Sequence, residues 1–400
     1  MRITFVLTIG LEIPSGRRYF SLAKELVRLG HEVTILALHP SLSECHQRET
    51  ELEGVRIYYL GQMHIRRYAG EVERFGARRL FAVVCASTLA MVRHIARTHT
   101  DVFHLGKPQP INGVAALLGG RLWRNAPLYL DCDDYEARAN AFTAGWQRAV
   151  FAFFEDTVPR FVRGITVNTP YLRERNAALG FPANRIVYVP NGVDRDRIAA
   201  LQDQDVQRLR NELGLEGTKV VAYAGHMGLV NHPVDLLLEA FAHVSREYGE
   251  ARLLLVGSGE DLELLRGQAT QLGLDDRVIF IGYVSHDLAL RYLKMADLSV
   301  DPVRDDPVAR ARSPLKVFES MAVGTPVVTG DVGDRRNILE NDKAGLLVTP
   351  GDSRGLAEGI LELLRDDDRR RAMSEAALEV RNGYYWDVLV REFVKVYDVA

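Results

Sequence analysis

The sequence predicts an α/β protein built from two doubly wound domains, each with a mostly parallel sheet. Short β-branched runs alternate with amphipathic helical stretches along the chain, which is typical of helices covering both faces of a parallel sheet. The series of strands starts again after a charged helical stretch at residues 195–215. The length of 400 residues is enough for two or three domains of ordinary size.

The individual elements support this class in chain order. The first helix, RRYFSLAKELVRLGH, has Gly30 as a C-terminal stop, and the segment RIVYVPNGVD at 185–194 is a strand that ends in an Asn-Gly turn. We therefore expect a first domain at 1–190, a second at 196–375 and a helical segment at 376–400. The strands predicted before residue 170 are RITFVLT, EVTILAL, VRIYYL, DVFHLG, PLYLDC and GITVNT. Those predicted after residue 215 are KVVAYAG, ARLLLVGSG, RVIFIGYV, LSVDP, TPVVTG and AGLLVTP.

Composition excludes several classes of function. The formal net charge of −3 offers no general attraction for nucleic acid. The three cysteines have no CxxC spacing, which argues against a zinc site or a disulfide framework and fits a reducing cytoplasm. The N-terminus MRITFVLTIG is predicted to be a first strand rather than a signal peptide.

Two apolar segments raise the question of membrane contact. The run LFAVVCASTLAMV at 80–92 is shorter than the roughly 20 residues that span a bilayer, so it predicts a buried or interfacial helix. Residues 60–94 and 142–163 mix aromatic, apolar and basic side chains that could dock a lipid-linked sugar or a membrane surface. The alternative is that both helices simply pack on their own sheet. The expected location is the cytoplasm, with peripheral contact at the inner membrane face left open.

Candidate binding residues follow several predicted strands, where parallel sheets bind ligands. Gly257 lies in a Gly-rich turn before a helix, and the loop with Gly16 enters the first helix, so both could meet a phosphate or a sugar. His226 and His232 could donate to a phosphate, although loop histidines are usually just solvated. The segment YLDCDDYE, with Asp133, is a weak metal signal and a better candidate for binding substrate hydroxyls.

The segment SPLKVFESMAVGTPVVTG at 313–330 places charged residues in an apolar helix. Pro314 suits the start of that helix, and Glu319 could accept hydrogen bonds from the vicinal hydroxyls of a ribose. Lys316, one turn earlier, could reach a phosphate. A solvated Lys–Glu pair at this spacing is the alternative interpretation.

These motifs resemble the GT-B retaining glycosyltransferases of family four, also called glycosyl transferases group 1. The resemblance covers nearly the whole chain and is strongest at 185–365, through VPNGVD, VVAYAG, LLLVGSGED and SPLKVFES. It implies two Rossmann-like domains that face each other across a cleft. It also implies transfer of a sugar from a nucleotide diphosphate sugar, held by the second domain, to an acceptor in the first, with no cofactor and no metal. The acceptor could be a glycan, a lipid-linked sugar or a small molecule.

The resemblance also assigns residues. Glu319 matches the second glutamate of the E-x7-E motif, and the last helix near Trp386 matches the segment that returns to the first domain. The catalytic candidates are His104, Asp133 and Lys316. The donor-binding candidates are Gly16, His226, His232, Gly257, Tyr283, Ser313, Pro314, Leu315, Lys316 and Glu319.

The chain departs from the family pattern at three places. Ala311 stands where the first glutamate of E-x7-E is expected, with Asp305 and Asp306 as substitutes. Gly106 stands where many members have a catalytic-site histidine. His226 and His232 replace an arginine and a lysine, for which Lys316 or Arg312 could compensate. A nucleotide-sugar epimerase and a non-catalytic sugar-nucleotide-binding subunit therefore remain as alternatives.

Overall fold

The computed structural model describes residues 1–11, 13–68, 71–140, 142 and 144–398. The chain forms two compact units. The first comprises Met1–Pro190 and Trp386–Ala400, and the second comprises Asn191–Tyr385.

The first unit is built on a sheet of near-continuous apolar strands, which is why both of its faces can be covered. Its strands, in the described residues, are β1 (Arg2–Leu7), β2 (Glu32–His39), β3 (Glu49–Leu52), β4 (Val55–Gln62), β5 (Ile65–Tyr68), β6 (Glu71–Arg74), β7 (Val102–Gly106), β8 (Leu128–Cys132), β9 (Gly164–Val167) and β10 (Ile186–Tyr188). Eight of them form one sheet in the order β10-β9-β8-β7-β1-β2-β4-β3, parallel except for β3, and β5 pairs with β6 in a hairpin.

Helices connect these strands. They are α1 (Pro14–Arg28), α2 (Ala77–Arg97), α3 (Pro110–Ala115), α4 (Glu136–Ala139), α5 (Gly145–Thr157) and α6 (Pro170–Ala178). A π-helical segment, Ala116–Trp123, continues α3. Short 3-10 turns occur at Leu42–Glu44, Val158–Phe161 and Ala183–Arg185.

The second unit repeats the architecture around a fully parallel sheet. Its strands, in the described residues, are β11 (Lys219–Ala224), β12 (Ala251–Val256), β13 (Val278–Gly282), β14 (Leu298–Asp301), β15 (Val327–Gly330) and β16 (Gly345–Val348). Their order in the sheet is β13-β12-β11-β14-β15-β16. The direction of winding therefore reverses between β11 and β14, and ligands of such sheets bind outside the carboxyl ends of the strands at this switch point.

The helices of the second unit are α7 (Arg195–Ala199), α8 (Asp203–Glu212), α9 (Val234–Glu247), α10 (Leu262–Gln271), α11 (His286–Met295), α12 (Pro307–Ala311), α13 (Leu315–Ala322), α14 (Arg335–Ile338), α15 (Ser353–Arg365) and α16 (Asp367–Val380). A 3-10 turn, Arg381–Tyr384, follows. The chain then returns to the first unit with α17 (Trp386–Phe393) and the 3-10 turn Val394–Tyr397.

Helix α2 differs from the buried helix that its sequence allowed. It runs over 21 residues, so it extends beyond the apolar run at 80–92. Its buried side chains are Ser87, Met91 and Ile95, and only 17% of its most apolar 18-residue stretch is buried. By length and composition alone the helix could cross a membrane. One side of the helix packs on its own sheet, where Ser87 donates to the carbonyl oxygen of Gln62 in β4, and the other side is exposed, so the structure is compatible with both interpretations of this segment.

An apolar surface surrounds the exposed face of α2. The π-helical segment packs against α2 where Gly119 lies next to Ile95, and α5 packs against α3 where Gly113 lies next to Phe154. We define the apolar surface of the first unit by the exposed side chains Phe81, Leu89, Leu118, Leu122, Trp123, Trp146, Val150 and Phe153. Exposed arginines on the same elements are Arg78, Arg93, Arg97, Arg121, Arg124 and Arg148.

Candidate active site

A cluster of cations lies at the switch point of the second sheet. Asp301 is the last residue of β14 and is buried, and its Oδ2 accepts hydrogen bonds from Nη2 (2.8 Å) and Nε (3.2 Å) of Arg335. Lys316, in the first turn of α13, has its Nζ 3.5 Å from Oδ1 of the same carboxylate. Arg312 donates to the carbonyl oxygen of Asn231 at 2.8 Å nearby. Two cations therefore pair with one carboxylate, and the charge of the nearby Arg312 adds to theirs, which leaves a surplus of positive charge.

The two loop histidines join this cluster. Lys316 Nζ lies 3.3 Å from Nδ1 of His232, and the His232 ring meets the His226 ring edge-on at 5.8 Å. Nε2 of His226 lies 2.8 Å from a carboxylate oxygen of Glu260. The hydroxyl of Tyr223 holds the loop by donating to the His226 carbonyl at 2.7 Å. The sequence prediction thus named both histidines in the right neighbourhood.

Burial and neighbouring charge shift the protonation of these groups. Burial lowers the pKa of Lys316, even though Asp301 opposes the shift. Burial, with Lys316 and Arg312 beside it, also lowers the pKa of His232, so this ring is neutral and accepts from the ammonium. Burial alone would raise the pKa of Asp301, but Arg335 and Lys316 hold it below its ordinary value.

Two glycines let the loops after β11 and β12 touch. Gly257 adopts a φ of +135°, and a Cβ there would overlap the carbonyl oxygen of Gly225. A Cβ on Gly225 would in turn overlap the Cε of Lys316. Both positions require glycine for close approach, and the absence of a side chain at 225 leaves the room that Lys316 occupies.

The start of α13 presents backbone donors next to Lys316. The N–H groups of Leu315 and Lys316 lie in the first turn and have no intrahelical acceptor. Pro314 is the N-cap residue and has no N–H, so its backbone cannot donate a hydrogen bond at this position. Ser313 is buried, and its hydroxyl accepts from the N–H of Asn191 at 2.9 Å. The Ser313 side chain therefore anchors the loop.

Glu319 lies in the middle of α13, and its carboxylate meets a histidine that the sequence did not single out. Nε2 of His286, at the first position of α11, lies 2.5 Å from Oε1 of Glu319. The Glu319 side chain is 11% exposed and that of His286 is 21% exposed. Arg197 contacts the other ring nitrogen, Nδ1, at 3.1 Å. Glu319 is thus one end of a chain of three side chains from three helices.

Other predicted residues have different roles. Tyr283 follows β13 and is 75% exposed, so it lies outside the buried cluster. Asp305 pairs with Arg310 at 2.7 Å, and Asp306 caps α12 by accepting from two backbone N–H groups. Both carboxylates therefore have local partners, and their assignment as substitutes for the glutamate replaced by the buried Ala311 stays a prediction.

The acidic segment of the first unit surrounds a lysine. Lys107 Nζ lies 3.1 Å from Asp133, 2.7 Å from Asp134 and 2.8 Å from Glu136. The three carboxylates could by spacing hold a metal ion, but the ammonium already sits among their oxygens. These residues therefore do not fit a metal. Burial raises the pKa of Asp133 to about 8, and the neighbouring carboxylates add to this rise while Lys107 opposes it. Asp133 stays a catalytic candidate.

His104 lies in the core of the first unit. It is fully buried between the rings of Phe5, Tyr129 and Phe393, and its Nδ1 lies 3.0 Å from the hydroxyl of Tyr397. Burial lowers its pKa to about 4, so the ring is neutral at ordinary pH. These contacts are those of a packed histidine, and the prediction of a catalytic role is not supported by them.

The site around Gly106 explains the departure from the family pattern. A Cβ at this position would overlap a methyl group of Leu7 and would lie 2.6 Å from Cζ of the buried Tyr19. A histidine therefore cannot stand here, because Tyr19 fills its space. Gly16 has a related role, since a Cβ there would overlap the Gly10 carbonyl where α1 begins. The structure gives Gly16 a packing reason to be glycine.

Sequence reasoning missed four residues that the structure brings to these clusters. Asp301 could have been found, since it ends the predicted strand LSVDP on the edge where ligands bind. Arg335, His286 and Arg197 carry no such signal, because they come from helix starts far apart in the sequence. Arg18 is a related case, because its burial against Asp131 could not be read from the sequence of the first helix.

The chain matches two families along most of its length. Residues 15–192 match the family described as glycosyl transferase 4-like domain, and residues 205–380 match the family described as glycosyl transferases group 1. The chain belongs to the group 1 glycosyltransferases. The family predicted from the sequence motifs is thereby confirmed.

Curated relatives support this membership. The chain is 30% identical over 242 residues to a phosphatidyl-myo-inositol mannosyltransferase of Mycobacterium leprae (strain TN), covering 60% of each chain. It is 26% identical over 412 residues to the protein of the same name from Mycolicibacterium smegmatis, covering 100% of this chain and 94% of that one. The chain spans 60% to 62% of the length of the first curated relatives it matches.

A solved structure supports the fold. The HepE protein of Anabaena, in complex with UDP and glucose, superimposes with a TM-score of 0.75, covers 100% of both chains and is 18% identical. This likeness confirms the predicted GT-B class of two Rossmann-like domains.

Proposed function

We propose that this glycosyltransferase moves a sugar from a nucleoside diphosphate sugar to an acceptor hydroxyl, with retention of the anomeric configuration. The observation that carries the proposal is the surplus positive charge at the switch point of the second sheet, where Lys316 and Arg335 pair with Asp301 and Arg312 adds its charge nearby. The leaving diphosphate gains charge as the bond to the sugar breaks, and fixed cations with free helix amides stabilise that charge. The UDP bound by HepE supports a nucleotide sugar as donor.

We also propose that transfer needs no bound metal. The cations at the start of α13 provide the charge that a metal would supply at the diphosphate. The three carboxylates near Lys107 already hold an ammonium. The expected result is that extensive dialysis against EDTA leaves the rate unchanged within about twofold. A rate that disappears and returns with a divalent cation would contradict this part of the proposal.

Incubation with UDP, GDP, ADP and TDP sugars tests the activity. Release of the free diphosphate supports transfer, whereas interconversion of the sugar supports the epimerase, and binding without turnover supports a non-catalytic subunit. The mycobacterial relatives are mannosyltransferases by name, which supports transfer. Glu319→Ala is expected to weaken nucleotide binding about tenfold or more, since a charge-assisted hydrogen bond to the ribose is lost. Unchanged affinity in a calorimetric titration would remove Glu319 from this role.

A second proposal concerns the location of the reaction. We propose that the protein acts in the cytoplasm and that the apolar surface of the first unit contacts the membrane there. Exposed aromatic and aliphatic side chains next to exposed arginines suit the interface of an anionic bilayer. The name of the mycobacterial relatives, which includes a phosphatidyl lipid, supports a lipid-linked acceptor.

Vesicle flotation tests this surface. The double variant Leu122→Gln and Trp123→Gln is expected to lose most of its flotation with phosphatidylglycerol vesicles, because both exposed side chains leave the surface. Val230→Gln is the matched control, since Val230 is an exposed apolar residue of the second unit. Equal flotation of all three proteins would contradict the proposal.

A further inference from the structure

The three connected side chains that end at Glu319 favour one tautomer of a histidine. An arginine guanidinium has only donors and remains charged at all ordinary pH values. Nδ1 of His286 lies 3.1 Å from Nη1 of Arg197, so Nδ1 must be the acceptor and cannot carry a proton. The proton of the neutral ring is therefore on Nε2, which donates to Oε1 of Glu319 at 2.5 Å.

The surroundings hold this arrangement in place. Ser285 caps α11 by accepting from the N–H of Leu288, which fixes the backbone of His286. Arg197 also pairs with Asp287 at 3.0 Å, so its guanidinium has a second anchor next to the ring. The ring and the Glu319 carboxylate are both mostly covered, whereas Arg197 is about half exposed. The orientation of the carboxylate is thus set from three helices.

We propose that His286 is the positioning residue for Glu319 in donor binding. By donating to Oε1, it fixes the rotation of the carboxylate, so that Oε2 and the remaining lone pair of Oε1 meet the ribose hydroxyls in one orientation. This inference rests on the proposed function, because it requires that Glu319 binds the ribose of a nucleotide donor. It adds His286 and Arg197 as determinants of selectivity for ribose.

The test compares ribonucleotides with their deoxy analogues. The probes are UDP and GDP together with 2′-deoxy-UDP and 2′-deoxy-GDP, and the readout is the ratio of the dissociation constants of each deoxy and ribo pair. For the native protein we expect the ribonucleotide to bind about tenfold more tightly. For His286→Ala we expect that ratio to fall to about two, with the deoxynucleotide affinity changed less than about twofold, since only the ribose contact is disturbed.

Further variants separate positioning from folding. His286→Gln places an amide donor near the position of Nε2 and is expected to restore most of the ratio. Arg197→Met frees Nδ1 to carry the proton and is expected to lower the ratio without altering the fold. His243→Ala is the control, because His243 is an exposed histidine on α9 outside the cluster.

Each outcome has a defined meaning. An unchanged ratio in His286→Ala, or equal weakening of ribo and deoxy binding, would overturn the role of His286. A native ratio near one, or a ratio that survives Glu319→Gln, would instead remove Glu319 as the ribose ligand. Failure of all four nucleotides to bind the native protein would reject the proposed function and this inference together.

Discussion

Replacing Asp301 by asparagine removes a buried negative charge while keeping the volume of the side chain. The carboxylate receives Arg335 at 2.8 and 3.2 Å and faces Lys316 at 3.5 Å. Asp301 and Arg335 are almost fully buried, so water cannot replace the lost charge. Breaking a buried ion pair from one side costs about 3–5 kcal/mol. We expect a loss of about 3 kcal/mol in the free energy of unfolding, because the amide oxygen still accepts one hydrogen bond.

Thermal unfolding followed by circular dichroism measures this loss. In a unit of this size, about 3 kcal/mol corresponds to a fall of about 6–12 °C in the midpoint of unfolding. Asp331→Asn is the matched control, since Asp331 pairs with Arg336 at the surface, and it should cost less than about 1 kcal/mol. If Asp301→Asn costs no more than the control, the buried carboxylate does not hold the cluster together.

The same variant has a defined dependence on pH. Arg335 and Lys316 hold the pKa of Asp301 below its ordinary value, against the effect of burial. The contribution of this carboxylate is therefore present above its unfolded-state pKa and is lost as the pH falls through the lower folded-state pKa. The difference in stability between the native protein and Asp301→Asn should shrink in acid. A difference that grows in acid would contradict the assignment.

Three further changes have expected outcomes. Gly106→Ala should lower the free energy of unfolding by about 1–3 kcal/mol in a urea titration, because its methyl group overlaps packed side chains such as Tyr19, and a stability equal to native would contradict this packing. Burial raises the pKa of Asp133 to about 8, so the stability that the protonated carboxyl contributes is lost as the pH rises from the unfolded-state pKa of this group through about 8. In the same urea titration, Asp133→Asn should lose less stability over this pH range than the native protein. Gly225→Ala should displace Lys316 and weaken binding of a nucleotide sugar about tenfold by calorimetry, whereas full affinity would show that the ammonium does not contact the donor.

The strands of both sheets were predictable because buried parallel strands are continuous apolar runs. Strand β1 is an example, with all but its first residue buried. Strand β3, which reads ETEL, and the hairpin of β5 and β6 were missed. They lie at an edge or outside the main sheets, where burial imposes no apolar pattern.

The chemistry was less predictable than the fold. Lys316 and Glu319 share one helix, so their neighbourhood could be predicted from a single segment. His104 is the middle residue of β7, and the aromatic neighbours that pack around it come from distant parts of the chain. His286 is recognisable only through Glu319 and Arg197, which are distant in sequence. Pairings of this kind depend on tertiary structure and leave no local pattern.

The core around His104 is completed by residues that follow the second unit in the chain. Phe393 stacks on the His104 ring at 4.8 Å, and Tyr397 closes its Nδ1 side, yet both follow the whole second unit in the chain. During synthesis, domains usually fold as they emerge, starting from the N-terminus. Here the second unit is fully translated while the first still lacks part of its interior. The core of the first unit is therefore complete only once the segment from Trp386 to Tyr397 has been translated, and a nascent chain stalled before Trp386 would carry a folded second unit and an unfinished first one.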